Sequence, residues 1–369
     1  MPDRILITGG AGFIGCHVCE ALLARGRDVR VLDDLVEQVH SGQPLNPVLR
    51  DAEFILGSVR NPDLVRQVLR GVDAVVHLAA EVGVGQSMYE IDRYVGANDL
   101  GTAVLLQALI ASPVRRVVVA SSMSVYGEGL YRDADGRQIE DAERGARGPG
   151  GGWDPLDAAG RPLVPVATPE WKRPSLASVY AITKYVQERL VLTVAPAYAM
   201  EGVALRLFNA YGPGQALSNP YTGVLAIFAS QLLNGGRPQV FEDGAQRRDF
   251  VHVKDVADAF LLALDRPEAA GGVFNIGSGA SVAIGEIASG IAEAMGRSGL
   301  APEILGKARA GDIRHCFADI GLAREKLGFA PTRELRPGMV ELAEWVSQQR
   351  STDRAAEARH ELETRGLVG

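Results

Sequence analysis

Tyr180 and Lys184 stand four residues apart in Tyr180-Ala181-Ile182-Thr183-Lys184, at the start of a stretch, Val179–Val194, patterned as a helix. A helix brings side chains at that spacing to one face. A free phenol titrates near pH ~10 and is a poor base. A neighbouring ammonium favours the phenolate and lowers that value. The pair would then accept a hydroxyl proton at neutral pH. Ser122 closes the apolar run Val117–Ala120 and could hydrogen-bond the same substrate oxygen. Tyr-x-x-x-Lys also arises by chance in helices, so its meaning depends on what surrounds it.

A second group of residues supplies that setting. Gly9, Gly12 and Gly15 lie between the apolar run Ile5–Ile7 and an amphipathic run starting at Phe13-Ile14. This is the order strand, tight turn, helix N-terminus. Gly9 permits the turn, Gly12 lets a pyrophosphate approach the backbone, and Gly15 lets the helix pack on the strand. The helix N-terminus offers unpaired N–H groups and partial positive charge to phosphates. The next apolar run, Val29–Leu32, ends in Asp33, where an acid about 20 residues past the glycines holds the adenosine ribose. The set points to a dinucleotide; the competing reading is a glycine-rich turn in an ordinary α/β unit. Cys16-His17-Val18-Cys19 resembles a redox or metal pair, but on this helix the cysteines read as small buried hydrophobes and no metal is expected.

The elements that must position these residues alternate. Strand-like runs at Val29–Leu32, Ala74–Leu78, Val117–Ala120, Ala204–Phe208 and Val273–Ile276 are separated by helical patterns, notably near Asp92–Ala111 and Val179–Val194. Such alternation predicts a parallel sheet with helices on both faces and ligands beyond the strand C-termini. His77-Leu78-Ala79-Ala80 and Ser121-Ser122 should then line the crevice. His77 is either a base or a packed, hydrogen-bonded residue. The chain has 369 residues, 47% of them apolar, and a net charge of −7. That charge argues against nucleic acid or an acidic membrane surface as a partner. No apolar run of 18 or more residues is present, and the first strand begins without a signal-like segment. Three cysteines are too few for a disulfide framework, which fits the cytoplasm.

Between Gly127 and Trp171 the alternation breaks. Residues 128–147 are polar, the Gly148–Gly152 stretch disfavours regular structure, and Trp153–Ala167 could be a hairpin turning at 158–162. This is read as an insertion, a lid or partner surface. The stretch 351–369, rich in Ala, Glu and Arg, reads as a solvated helix or frayed tail.

Thr8-Gly9-Gly10-Ala11-Gly12-Phe13-Ile14-Gly15, the serine strand closed by Val125-Tyr126-Gly127, and Tyr180-x-x-x-Lys184 together resemble the extended short-chain dehydrogenase/reductase family, whose members act on nucleotide sugars. The resemblance spans about Arg4 to Trp345. It implies an α/β fold: a Rossmann-like, doubly wound parallel sheet with a smaller C-terminal α/β substrate domain. The division it suggests is 1–206 with 249–278 for the cofactor, interrupted by the insertion 128–172. The substrate would take 207–248 with 279–350, leaving a tail, 351–369. NAD is the implied cofactor, held by the glycine turn with Phe13 and Ile14, by Asp33, Asp34, Ser58 and Val59, by Leu78, Ala79, Ala80 and Asn98, and by Tyr180 and Lys184. Its positive nicotinamide would join Lys184 in lowering the Tyr180 pKa. Many members carry Asp where Ser58 stands.

On the substrate side the same likeness places Ser122, Ser124 and Val224 at the sugar nucleotide and Asn209 at its phosphates. Arg248 in Gln-x-Arg-Asp-Phe and Arg309 in Arg-x-Gly-Asp would grip the diphosphate; planar guanidinium forks suit it. Ordinary surface ion pairing is the other reading of these two arginines. Asp312 would meet the ribose, and Val240 and Phe241 the base. Members that dehydrate the sugar carry Asp-Glu after the catalytic hydroxyl residue; here Met123-Ser124 cannot supply that acid and base, and decarboxylation also usually relies on an acid at the Ser124 position. Epimerases tolerate small neutral residues there. Asn209–Phe228 resembles the dTDP-L-rhamnose 4-epimerase group most, although the insertion lacks that group's paired cysteines. The implied activity is NAD-dependent C4 epimerisation of a dTDP- or UDP-hexose. Tyr180 would remove the 4-hydroxyl proton, and the C4 hydride would pass to NAD and return to the other face. A 4-ketoreductase and a non-catalytic nucleotide-binding module are the rivals. A homodimer paired through helices near Asp92–Ala111 and Val179–Val194 is also implied.

Overall fold

The structure, a computed structural model, describes residues 3–40, 44–144, 152–221, 223–349 and 352–369. Seven parallel strands form the central sheet: β1 (Arg4–Thr8), β2 (Asp28–Asp33), β3 (Glu53–Leu56), β4 (Ala74–His77), β5 (Arg116–Ser122), β6 (Glu201–Leu207) and β7 (Val273–Ile276). Their spatial order is β7-β6-β5-β4-β1-β2-β3. The order reverses between β1 and β4, whose registers match Thr8 to His77. Both faces of most strands are covered, so these segments read as unbroken apolar runs rather than as alternating patterns.

The helices that matter here are α1 (Phe13–Ala24), α2 (Pro62–Val68), α3 (Gly101–Ala111), α4 (Val179–Ala197), α5 (Val224–Leu233), α6 (Val253–Asp265), α7 (Ile284–Ala294), α8 (Leu335–Ser347) and α9 (Ala355–Thr364). One sheet face is filled by Val18 and Leu22 of α1 with Val256 and Phe260 of α6. The other is filled by Val65 of α2, Leu105 and Leu109 of α3 and Val191 of α4. A separate core joins Phe228 of α5, Ile291 of α7 and Leu342 of α8. Two parts of the suggested division differ from this packing. Ala323, Leu327 and Phe329 belong to the core of the large sheet, and Phe250 belongs to the smaller core. Apolar spacing identifies a buried residue but not which core receives it.

The described part of the insertion is folded. Leu130–Arg132 pairs with Gln138–Ile139 and Val164–Val166, and a Leu156–Pro162 bridge closes a hairpin turning over Asp157–Arg161. Gly129 N–H donates to His315 O at 2.8 Å, and Arg314 donates to Asp154 at 2.6 Å, fastening the insertion to the substrate side. The glycine run falls largely outside the described residues.

Ile91–Ala111 is one continuous helix whose length and composition would suffice for a membrane span. Its Leu105, Leu106 and Leu109 are instead buried against the sheet. Within it Asp99 has a buried carboxylate oxygen without a hydrogen-bond partner, and burial pushes that acid up to about 6. An acid whose folded pKa exceeds its unfolded value of about 3.9 loses folded stability as pH rises between the two, and the loss is complete above the folded pKa. Asp99→Asn should therefore raise stability at pH 8 by about 1 kcal/mol, discounted for partial exposure, and much less at pH 4; urea unfolding at the two pH values checks this.

Candidate active site

A cleft of about 630 Å3 runs along the C-terminal ends of β1, β2, β4 and β5 and into the smaller lobe. Every site residue expected from the sequence lines it except Asn98. Asn98 is wholly buried; it takes the Glu81 N–H at 2.7 Å and donates to Thr183 at 2.9 Å, so it braces α4 behind the cleft wall. His77 is also absent from the lining. Its ring lies between Thr8 at 2.7 Å and Thr102 at 2.9 Å, and burial drives its pKa down to about 3. It is a neutral packing residue.

The glycine turn is built for a close backbone approach. Gly9 has φ +71°, and a Cβ there would sit 2.6 Å from Ala79 N. A Cβ on Gly15 would lie 2.5 Å from Gly9 O and Gly10 Cα, so this glycine brings α1 onto the turn itself rather than onto the strand. Gly12 differs: its nearest neighbour would be Gly9 O at 3.4 Å, and as the N-cap it gives α1 no side-chain cap. Packing does not demand glycine there. The absent side chain leaves the first N–H groups of α1 open to the cleft, where a pyrophosphate is satisfied by them. Asp33 accepts the N–H groups of Ala11 and Leu35, each at 2.9 Å; burial pushes its pKa up while those bonds pull it down. These residues fit a dinucleotide. Ser58 carries a hydroxyl where an acid is common, and that hydroxyl accepts only long bonds from Arg60, at 3.4 Å.

Across the cleft, α4 is started by Ser178, whose hydroxyl takes the Ala181 N–H at 3.1 Å. Tyr180 follows, and its phenol shares the cleft lining with the neighbouring Ser122 hydroxyl at the end of β5. One expectation is corrected. The protein's own groups do not depress the Tyr180 phenol: burial raises it, and only the Ser122 hydroxyl opposes. Lys184 donates instead to Gln187 at 2.7 Å, and burial pulls its ammonium down to about 7 against the raising effect of Glu188. Spacing placed both groups correctly; Gln187, three residues on, took up the ammonium.

The far half of the cleft is rich in polar groups. Arg309 stacks on the Phe241 ring at 4.6 Å and donates to Asp312 at 3.1 Å. Arg248 donates to the carbonyls of Arg247 at 2.9 Å, Arg314 at 3.0 Å, and Ile313, and lies 3.8 Å from Asp312. Burial pushes the Asp312 carboxyl up, but the two guanidiniums more than offset it and hold it below the usual range. Arg248 and Asp312 are largely enclosed, whereas the Arg309 side chain is 39% exposed at the cleft wall. Asn209, Gln215 and Gln246 each have a buried amide oxygen without a partner, and all three line the cleft. Unpaired buried acceptors cost stability unless a ligand supplies donors. Sugar hydroxyls are such donors. Gln215 and Gln246 lie inside the motifs that the sequence offers, but nothing in their spacing gives them a role. Sequence reasoning missed α9 as a cleft wall altogether, although Ala358, Arg359 and Leu362 line it.

A dinucleotide turn, a Ser-Tyr-Lys set and an arginine-lined far half in one cleft define a nucleotide-dependent enzyme that works on an alcohol or ketone. A family model described as the NAD dependent epimerase/dehydratase family matches residues 5–149 and 165–277. The chain belongs to that family, and its cofactor is NAD. It is 36% identical over 352 residues to dTDP-L-rhamnose 4-epimerase of Burkholderia thailandensis, covering 94% of this chain and 95% of the relative. Among solved structures it resembles UDP-glucose 4-epimerase of Thermotoga maritima with UDP-glucose, at 30% identity and a TM-score of 0.74, covering 93% of this chain and 98% of that one. It also resembles UDP-glucose 4-epimerase of Thermus thermophilus in complex with NAD, at 29% identity and a TM-score of 0.72, covering 94% of this chain and all of that one (100%).

Proposed function

We propose that this chain is a nucleotide-sugar C4 epimerase acting on a dTDP- or UDP-hexose, with dTDP-L-rhamnose the first substrate to try. The observation that carries the reading is the end of β5. Ser122 and Tyr180 line the cleft as neighbours, and the next two residues, Met123 and Ser124, bring no carboxylate to it. An elimination needs an acid and a base beside the sugar; this corner supports only proton exchange at one hydroxyl. Tyr180 takes the 4-hydroxyl proton and later returns it, while Ser122 holds the oxygen. Lys184, bonded to Gln187, lies one turn along α4 from the phenol and lines the same cleft. Arg248 and Arg309 fix the diphosphate end, and the amide oxygens of Asn209, Gln215 and Gln246 offer acceptors to hydroxyls. Bound NAD supplies the acceptor, and then the donor, for the hydrogen and electron pair at C4, so no net oxidation results.

The test uses dTDP-L-rhamnose and UDP-hexoses carrying deuterium at C4, followed by NMR. An epimerase interconverts the C4 epimers with the label kept at C4 and with no added reduced cofactor consumed. Stoichiometric oxidation of NADH or NADPH would mark the ketoreductase rival, and inertness across the panel the non-catalytic one. The relatives named for 4-epimerisation support the reading, as does their match along nearly the whole chain. A homodimer belongs to the same proposal. Ile91, Val95 and Leu100 of one helix and Ile182 of α4 are large apolar residues left exposed, on the two helices expected to pair. Sedimentation should give twice the chain mass of 39.2 kDa; a monomer at micromolar concentration would remove the dimer from the proposal.

A further inference from the structure

The helix α9 does not lie free in solvent. On one side Arg365 stacks on the Tyr89 ring at 4.4 Å, and Glu361 accepts from Tyr89 at 3.2 Å and Tyr221 at 3.4 Å. The two tyrosine hydroxyls are themselves bonded at 2.6 Å. Leu362 packs beside Gly85, where an added Cβ would come within 3.3 Å of it. On the other side Lys307 donates to Glu363 at 2.7 Å, and Ala308 and Ala310 pair through their backbones with Gly369 and Leu367. Those two alanines flank Arg309. The segment 355–369 therefore spans the cleft mouth, tied to the glycine-turn lobe at Tyr89 and to the substrate lobe at 307–310.

The cleft-facing side of α9 carries Ala358, Leu362 and, between them, the half-buried Arg359. The Arg359 guanidinium donates to Gln239 Oε1 at 2.8 Å, and Gln239 lines the same far half as Phe241 and Arg309. Arg248 and Arg309 are already engaged with carbonyl oxygens and with Asp312. Among the described residues Arg359 makes one such bond, to a neutral amide, with the Glu363 carboxylate near enough to feel its charge, so several of its five donors remain for a ligand. A partly desolvated guanidinium at a cleft wall favours an anionic or carbonyl-bearing partner.

Resting on the nucleotide-sugar reading above, we propose that segment 355–369 is a strap completing the substrate site, and that Arg359 binds the nucleoside diphosphate end of the substrate. The strap holds that end against both lobes, and Arg359 is a specificity-determining residue alongside Arg248 and Arg309. The probes are UDP and dTDP alone, titrated calorimetrically into the NAD-bound enzyme. Arg359→Gln, which keeps size and hydrogen bonding but removes the charge, should weaken the tighter nucleotide at least tenfold, as loss of a charge-assisted bond does. Arg359→Lys should lose less. Removal of 352–369 should lose at least as much as Arg359→Gln. Bound NAD and the melting temperature of Arg359→Gln should stay at the wild-type level, since Arg359 lies away from the glycine turn. Unchanged nucleotide affinity in both Arg359→Gln and the shortened chain overturns the strap while leaving the epimerase reading intact. A wild-type enzyme that binds neither nucleotide overturns both. A wild-type enzyme that binds them but does not epimerise overturns only the reaction.

Discussion

Tyr180→Phe should cut turnover by about 10³ while leaving the fold and the cofactor in place. The ring of Tyr180 meets Tyr94 edge-on at 6.4 Å, and its backbone N–H is held by Ser87 at 3.0 Å. Phenylalanine keeps both contacts and removes only the hydroxyl. The lost group is the one that exchanges a proton with the sugar, and positioned proton transfer contributes about 10²–10⁴ in rate. kcat should fall by about 10³, with KM for the nucleotide sugar changing less than a few-fold and bound NAD stoichiometric. Quantitative NMR of C4 epimers over hours reads the rate, and absorbance of the denatured supernatant reads the NAD. Burial raises the Tyr180 phenol and pulls the Lys184 ammonium down to about 7, so neither shift favours a phenolate. If Tyr180→Phe keeps full activity, the base is elsewhere in the cleft and the proton route fails.

Much of this site can be read in the sequence, because its positions are constrained by backbone geometry rather than by distant partners. Gly9 needs a positive φ and the space of Ala79, and such a position admits little but glycine. The buried strands β1, β4 and β5 read as apolar runs since both faces are covered. The edge strand β3 escapes notice: it has one neighbour, β2, and its Leu56 is 63% exposed, so it carries neither an apolar run nor clean alternation. Asn98 lies behind the cleft wall rather than in its lining, because position along a chain does not fix the direction of a side chain. Helix α9 is hidden for a different reason. Only Ala358 and Leu362 are buried, which gives it the composition of a solvated helix. Its partners Tyr89, Tyr221 and Lys307 are dispersed through the sequence and carry no local signal. The fate of Lys184 is set by Gln187, a neighbour on the same helix whose orientation only packing decides.

Glu188→Ala costs the folded state about 3–5 kcal/mol, the usual penalty for removing one partner of a buried ion pair. Glu188 lies one turn past Lys184 on α4 and is 1% exposed. Its carboxylate takes Arg206 in a two-pronged bond, at 2.7 Å and 3.0 Å, and accepts the Ser121 hydroxyl at 2.7 Å. Arg206 also donates to the Tyr126 hydroxyl at 2.9 Å, which in turn donates to Asn275 at 2.7 Å. One carboxylate thus ties α4 to β5, beside Ser122, and to β6. Alanine leaves the Arg206 charge buried with two prongs unmet. Such a cost is a large share of the roughly 5–15 kcal/mol that folded domains have, so soluble yield should fall with the urea midpoint. Glu188→Gln keeps one acceptor and should cost roughly half as much. The pair is not inherently stabilising, because each charge was desolvated to form it. The double variant Glu188→Leu with Arg206→Leu, which leaves no unpaired charge, should therefore be more stable than Glu188→Ala alone. If it is less stable, the hydrogen bonds of Arg206 to Tyr126 and to the Glu170 carbonyl at 3.1 Å, rather than the ion pair, hold α4 to the sheet.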